Sequence, residues 1–371
     1  MTVTFVLSEE QEELRHVVRS FLAEVSPPQR VRELMESDPG YDPAVWRRMA
    51  TELGLHGLAL PEDVGGSGFG WVELGLVFEE MGRVLLCAPF LSTVALAAGA
   101  LQAAGDGDDL LAGIASGGTV ATLAVTEDNG SWRADGVALA ARPGAGGWVL
   151  DGHKAYVVDG LAAGLVLVAA RSPSGVGLFA VDGAAPGLRR EPMAAMDLTR
   201  PLARLEFAST PARLIGPDGG GWPAVETAHA LGVVALAAEQ VGGAQRALEL
   251  SIEYALSRRQ FGRPIGSFQA IKHRLADLLT EVEAARSTAA YAAFAASRDD
   301  RDELLIAAAL AHAACSEAYV HVAGECIQVH GALGFTWEHD AHLYFKRAKA
   351  SSLLFGDPAL HRALLADRLG I

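Results

Sequence analysis

The densest set of chemically useful side chains lies in Tyr254-Ala-Leu-Ser-Arg-Arg-Gln-Phe-Gly-Arg-Pro-Ile-Gly-Ser-Phe-Gln269. A helical pattern ends on two arginines, a Phe-Gly breaker follows, and Ser267 stands where the N-cap of a new helix is expected. Guanidinium groups, an aromatic ring and a helix N-terminus in one short segment suit a pyrophosphate joined to a flat base. The same residues also suit a plain turn between packed helices, its arginines answering the helix dipole. A second feature is Glu239, inside the apolar run Ala235 to Val241. A carboxylate in such a run needs a partner or a raised pKa. It is either a proton-abstracting base or a structural carboxylate bonded to an arginine or a neighbouring helix. Asp357, just before Pro358, is a shorter candidate acid, and its simpler role is the N-cap of a last helix.

These residues need a scaffold, and the patterning supplies an α+β one in three parts. From residue 8 to about 120 apolar positions recur at helical spacing, as in Leu14, Val17, Val18, Phe21 and Leu22, broken at Pro27-Pro28 and Gly65-Gly66-Ser67-Gly68. Short apolar runs bounded by Gly, Asp, Ser and Pro then read as strands: Val120–Val125, Gly147–Leu150, Leu165–Ala169 and Gly177–Val181. Helical periodicity returns over about 223–259, 267–298, 301–330 and 339–369, with breakers at Gly262-Arg-Pro264 and Gly331–Gly334. The expectation is an N-terminal helical domain (1–118), a middle β-barrel or sandwich domain (119–215) and a C-terminal four-helix bundle (216–371).

Composition narrows the function. A net charge of −15 sets the whole-molecule field against polyanions, so nucleic acid is not an expected partner. No run of 18 or more uninterrupted apolar residues suggests a membrane span, and Ala228 to Ala238 reads as a buried helix ending at Glu239 and Gln240. The stretch from Ser8 to Leu22 is acidic and amphipathic, unlike a secretory leader. Cys87, Cys315 and Cys326 are odd in number and far apart, which points to reduced thiols in the cytoplasm and away from a disulfide frame or a metal site.

The arginine segment resembles the acyl-CoA dehydrogenase family, whose pattern R-x-x-F-G-x-x-I-x-x-F-Q is matched by Arg258, Phe261, Gly262, Ile265, Phe268 and Gln269. The resemblance implies that Arg258 contacts the FAD pyrophosphate, Phe261 its adenine side and Gln269 the same cofactor, across a subunit boundary. Ile327-Gln-Val-His-Gly-Ala-Leu-Gly-Phe335 is similar to the family's Q-x-x-G-G-x-G-F/Y loop over the adenosine, which adds Gln328, Gly331 and Gly334 as cofactor contacts. Ala332 departs from a usual glycine there. Leu53-Gly-Leu-His-Gly-Leu58 with Pro61-Glu62 and Gly65-Gly66 resembles the amino-domain signature. In the β region, Thr126-Glu-Asp-Asn-Gly-Ser131 stands for T-E-P-x-A-G-S-D, and Gly152-His-Lys-Ala-Tyr-Val-Val-Asp-Gly160 for G-x-K-x-W-I-T-N-G. Thr126, Ser131 and Tyr156 are thereby the implied flavin-ring contacts, and Val158 replaces a hydroxyl donor.

The activity implied is α,β-desaturation of an acyl-CoA, with electrons passed to an electron-transfer flavoprotein. A base is required, and a well-placed one contributes about 10²–10⁴-fold in rate. The family's usual glutamate near the C-terminus is here Phe355, in Leu354-Phe355-Gly356-Asp357. The alternative position on the first bundle helix, aligned through Gly242-Gly-Ala-Gln245, is Gly232. Glu239 is seven residues further on, within about 20° of the same helix face but roughly 10 Å along the axis. Two readings follow. One is an active enzyme using Glu239, or less directly Asp357, as a homotetramer. The other is a non-catalytic subunit of a heterotetramer that lends adenosine-side FAD contacts to a catalytic paralogue.

Overall fold

The computed structural model describes residues 7–144 and 146–371, so the first six residues of the expected first domain and Ala145 lie outside the description. The chain has the expected order of helices, sheet and helices. It packs as two compact units: one comprises the chain up to Arg32, Trp71–Leu86 and Val233–Ile371, the other Glu33–Gly70 and Cys87–Gly232.

In the first unit, α1 (Glu9–Val25) starts on a capping box in which the Ser8 hydroxyl accepts from Gln11 N–H and the Gln11 side chain accepts from Ser8 N–H. It buries Val18, Phe21 and Leu22, three of the positions at helical spacing. After α2 (Pro28–Leu34) and α3 (Pro43–Thr51), α4 (Trp71–Arg83) returns to this unit. The bundle is built from α7 (Trp222–Ser257, in this unit from Val233), α8 (Gln269–Ala296), α9 (Arg301–His330), α10 (Ala341–Ser351) and α11 (Pro358–Leu369). With its continuation to Phe335, α9 is long and apolar enough to cross a membrane by composition. Its most apolar window is 67% buried, which identifies it as the bundle's core helix.

The final helix is not the single element expected over 339–369. It breaks between Ser351 and Pro358, where Phe355 and Gly356 take φ of 67° and 103°. Neither value continues a right-handed helix. Ser267 is not an N-cap either: it lies in a short 3₁₀ turn and its hydroxyl donates to Pro264 O, while α8 begins after Phe268.

Two glycines set the closest helix approach. A Cβ on Gly242 of α7 would lie 1.8 Å from Glu79 O of α4, and one on Gly82 of α4 would lie 2.0 Å from Glu239 O. A Cβ on Gly243 would sit 2.4 Å from the Tyr319 hydroxyl of α9. The small residues at 242–243 therefore serve helix packing.

In the second unit, the π-helix Leu91–Ala97 runs into α5 (Ala98–Ala104), followed by α6 (Asp108–Ala115). A seven-stranded sheet comes next: β1 (Ala121–Ala124), β2 (Ala140–Gly144), β3 (Gly147–Val158), β4 (Leu165–Ser172), β5 (Gly175–Asp182), β6 (Leu188–Met193) and β7 (Leu202–Ile215). Strand β4 pairs with β5, β5 with β7, β7 with β3, β3 with β2, and β2 returns to β4 through Ala140 and Arg171. The sheet thus closes into a barrel, filled by Leu150, Val166, Val168, Phe179 and Leu205 among others.

Candidate functional site

The helical unit gathers the arginine motif and the glycine loop through a ladder of rings. Helix α7 ends one turn after Tyr254, and the chain forms a two-residue hairpin, Arg259 pairing with Pro264 and Gln260 with Arg263. Phe261 and Gly262 occupy its tip at φ of 51° and 78°, the left-handed pair that a tight hairpin turn requires. The expected breaker is thus an ordered β-turn. It leaves the Phe261 ring 91% exposed, with Arg258 exposed at its base and Gln269 exposed at the first position of α8. Arg263 is engaged elsewhere, its guanidinium carbon 4.0 Å from the centre of the Phe268 ring.

Tyr254 stacks on His330 at 4.4 Å, and His330 on His339 at 4.1 Å. This ties the end of α7 to the end of α9, where Gln328 is exposed and Gly331 turns the chain at φ of 63°. No atom lies within 4 Å of a Cβ placed on Gly331, so its surface is open to a ligand, whereas Gly334 is packed against His330 and Ile327. Ala332 is exposed in the same turn. Burial holds both His330 and His339 below the ordinary histidine pKa, which keeps the stack neutral at pH 7. An exposed ring, an exposed guanidinium and an open glycine turn are of the chemical types that suit the adenosine and pyrophosphate of FAD.

The barrel unit holds the other three candidates, Thr126 and Tyr156 at β3 and Ser131 in the loop after Thr126. Thr126 is buried and its hydroxyl donates to Ala155 O at 2.6 Å. Tyr156 sits at a bulge, where the pairing with β7 shifts between Lys154 and Val157. Its φ is 58°, its N–H donates to Met193 Sδ at 3.2 Å, and its side chain is partly exposed. Ser131 accepts from Arg133 N–H and donates its own N–H to Asn129 Oδ1. Val158 is in the core, with its carbonyl taken by Thr122. Below this group Lys154, fully buried, donates to Val125 O and to Glu127 Oε1. Burial lowers the Lys154 pKa to about 8 against the pull of Glu127.

The acids proposed from sequence are both hydrogen-bonded within the fold. Glu239 Oε1 accepts from Arg347 Nη1 of α10 at 3.0 Å, with both side chains almost fully buried. This is the arginine partner that a structural carboxylate requires, and Arg347 is the residue that sequence reading left unassigned. The only signal for it was an Arg in the Lys346-Arg347-Ala348-Lys349 run of a helix expected to pack nearby. Asp357 Oδ1 accepts from Leu360 N–H at 2.7 Å, capping α11. Phe355 is 1% exposed. The break around it is pinned by His361 Nε2 at 3.1 Å from Phe355 O and His312 Nε2 at 2.7 Å from Gly356 O. Each ring nitrogen must carry its proton to serve a carbonyl.

The fold is that of a flavin-dependent dehydrogenase of the helices–barrel–bundle type. The chain belongs to the acyl-CoA dehydrogenase family: residues 8–109 match the family's N-terminal domain and residues 219–370 its C-terminal domain. It is 38% identical to the acyl-CoA dehydrogenase IpdE2 of Mycobacterium tuberculosis over 350 residues, 94% of each chain. Among solved structures it is similar to the Tcur3481-Tcur3483 steroid ACAD G363A variant (34% identity, TM-score 0.87, 98% of both chains). It is also similar to the ChsE4-ChsE5 complex of Mycobacterium tuberculosis (31% identity, TM-score 0.88, 99% of both chains). The protein is an oxidoreductase whose cofactor is FAD.

Proposed function

We propose that this chain is the base-deficient subunit of a heterotetrameric FAD-dependent acyl-CoA dehydrogenase. The reaction takes the α-proton of an acyl-CoA onto a carboxylate and the β-hydrogen away as hydride, leaving a C=C bond. FAD, when bound, supplies the hydride acceptor and passes electrons to an electron-transfer flavoprotein. The α-proton goes to a glutamate of the catalytic paralogue. This chain contributes Arg258, Phe261 and Gln269, with the turn at Gln328, Gly331 and Gly334, to hold the adenosine half of the cofactor.

One observation carries the reading: Glu239 is held in a buried pair with Arg347, and a buried Phe355 stands where the resemblance puts the family's carboxylate. A carboxylate held in a buried ion pair stabilises the packing of two helices, and withdrawing it for proton transfer breaks that pair in the interior. Thr126, Ser131 and Tyr156 are then the remnant of this chain's own flavin-ring site. The two similar solved structures have names that join two proteins, which accords with a mixed assembly. One of them is a steroid enzyme, so a sterol-derived acyl-CoA is the first substrate class to try. Three buried free thiols accord with a cytoplasmic site of action.

Co-expression with a paralogue that carries the C-terminal glutamate, followed by native mass measurement, tests the assembly. The expected product contains two copies of each chain and bound FAD. A homotetramer that excludes the paralogue and desaturates an acyl-CoA unaided overturns the proposal.

A further inference from the structure

Helices α1, α4, α7 and α8 of the first unit line a cavity of about 280 Å³, and none of its lining residues belongs to the cofactor motifs. Its walls carry four arginines: Arg15 and Arg19 from α1, Arg83 from α4 and Arg286 from α8. Facing them are the carboxylates of Glu79, Glu249 and Glu283 and the amide of Gln245. The lining thus holds more cations than anions, in a molecule whose net charge is −15.

Three of the four arginines are bonded to carboxylates. Arg83 forks onto Glu249, Nη1 donating to Oε1 at 2.9 Å and Nη2 to Oε2 at 2.8 Å. Arg286 donates to Glu79 and to Gln245 Oε1, and its Nε donates to Glu283 at 3.3 Å. Gln245 in turn donates to Glu249 Oε1 at 3.0 Å, which joins these two sets of bonds. Arg19 turns Nε and Nη2 onto Glu80, a carboxylate outside the lining that is 1% exposed. Arg15 is the exception. Its nearest carboxylate oxygens, on Glu12 and Glu79, stand at 3.6 and 4.0 Å, too far for a hydrogen bond. Its Nε–H is buried and has no acceptor among the described residues. Buried donors in folded proteins almost always have an acceptor, and this one belongs to a side chain lining a cavity with room for several water-sized molecules.

A guanidinium with unbonded N–H groups recognises a tetrahedral oxyanion through two parallel N–H···O bonds. We propose that this cavity binds a small oxyanion of the phosphate type, anchored by Arg15, with further N–H groups of Arg19 and Arg286 available from the same walls. The glutamates fix the other guanidiniums in place, and their own charges are answered by the bonds that do so. An anion on Arg15 meets α1 on one side and the walls from α4 and α8 on the other, so it ties the first helix to the bundle. The inference goes beyond the partner-subunit reading and holds whichever subunit removes the substrate proton.

The test is calorimetric titration of the purified full chain with inorganic phosphate at constant ionic strength. The wild type, Arg15→Gln and Arg258→Gln are compared, with circular dichroism melts at each phosphate concentration. The expected result is saturable binding and a melting temperature that rises with phosphate in the wild type and in Arg258→Gln. Arg15→Gln should weaken the affinity by about tenfold or more, the loss of a charged hydrogen bond. Arg258→Gln removes an equal charge at the arginine assigned to the cofactor pyrophosphate. Loss of binding there, with Arg15→Gln unaffected, puts the phosphate on the cofactor side and overturns the proposal. Equal losses in both variants report net charge alone and overturn it too. Absence of saturable binding by the wild type does the same, leaving the cavity to water. If Arg15→Gln fails to fold, Arg15→Lys keeps the charge, loses the forked donors and carries the same comparison.

Discussion

Replacing Glu239 by leucine removes its bond to the Arg347 guanidinium, which is buried at 3% side-chain exposure. Removing one member of a buried pair costs about 3–5 kcal/mol, a large share of the roughly 5–15 kcal/mol that holds a folded protein together. Arg347→Met, which removes the same bond from the other side, is expected to cost a similar amount. The double variant replaces two charges by two apolar side chains of similar bulk, so its loss should be well below the sum of the singles. The difference is a coupling of about 2 kcal/mol or more between residues in contact. Urea unfolding followed by tryptophan fluorescence for the four proteins gives each value. If Glu239→Leu costs less than about 1 kcal/mol and Arg347→Met does not change that cost, the pair does not stabilise the helices and Glu239 is available for chemistry.

Three further outcomes are expected. Gly242→Ala should destabilise by about 1–3 kcal/mol or more, because its methyl group meets Glu79 O at 1.8 Å; a denaturant titration showing no loss would mean that the α4–α7 crossing is looser than the structure has it. His56 is fully buried against Trp46 and Phe90, and burial lowers its pKa to about 4. The unfolded chain, with a histidine pKa near 6.5, therefore binds the proton first, and stability falls as pH drops from 6.5 towards 4. The loss reaches about 3 kcal/mol across that window, and His56→Phe should flatten that part of the profile in urea midpoints taken between pH 7 and 5. Phe261→Ala, at a 91% exposed turn position, should leave the melting temperature of the isolated chain unchanged and weaken FAD retention by the assembly, measured by flavin release on dilution.

Much of the fold was legible because local chemistry wrote it. The alternation of apolar runs with Gly, Asp and Pro marked the strands, and helical spacing marked α7, α8 and α9. Asp357 before Pro358 read as a cap and is one. The break at Phe355 was illegible because a phenylalanine at positive φ carries no local signal; tertiary bonds from His312 and His361 hold it there. Ser267 had the type of an N-cap, but Pro264 takes its hydroxyl. The need of Glu239 for a partner was visible in its apolar surroundings, while the partner's identity depended on how α10 packs on α7, more than a hundred residues away in sequence.

The central claim is that this subunit does not abstract the substrate proton. Its most direct test is anaerobic mixing of the purified chain, loaded with FAD, with a series of acyl-CoA esters that includes a sterol-derived one, while the visible flavin absorbance is followed. The account predicts no bleaching by the chain alone and rapid bleaching once the glutamate-bearing paralogue is present. Bleaching by the chain alone, abolished by Glu239→Gln, would contradict it.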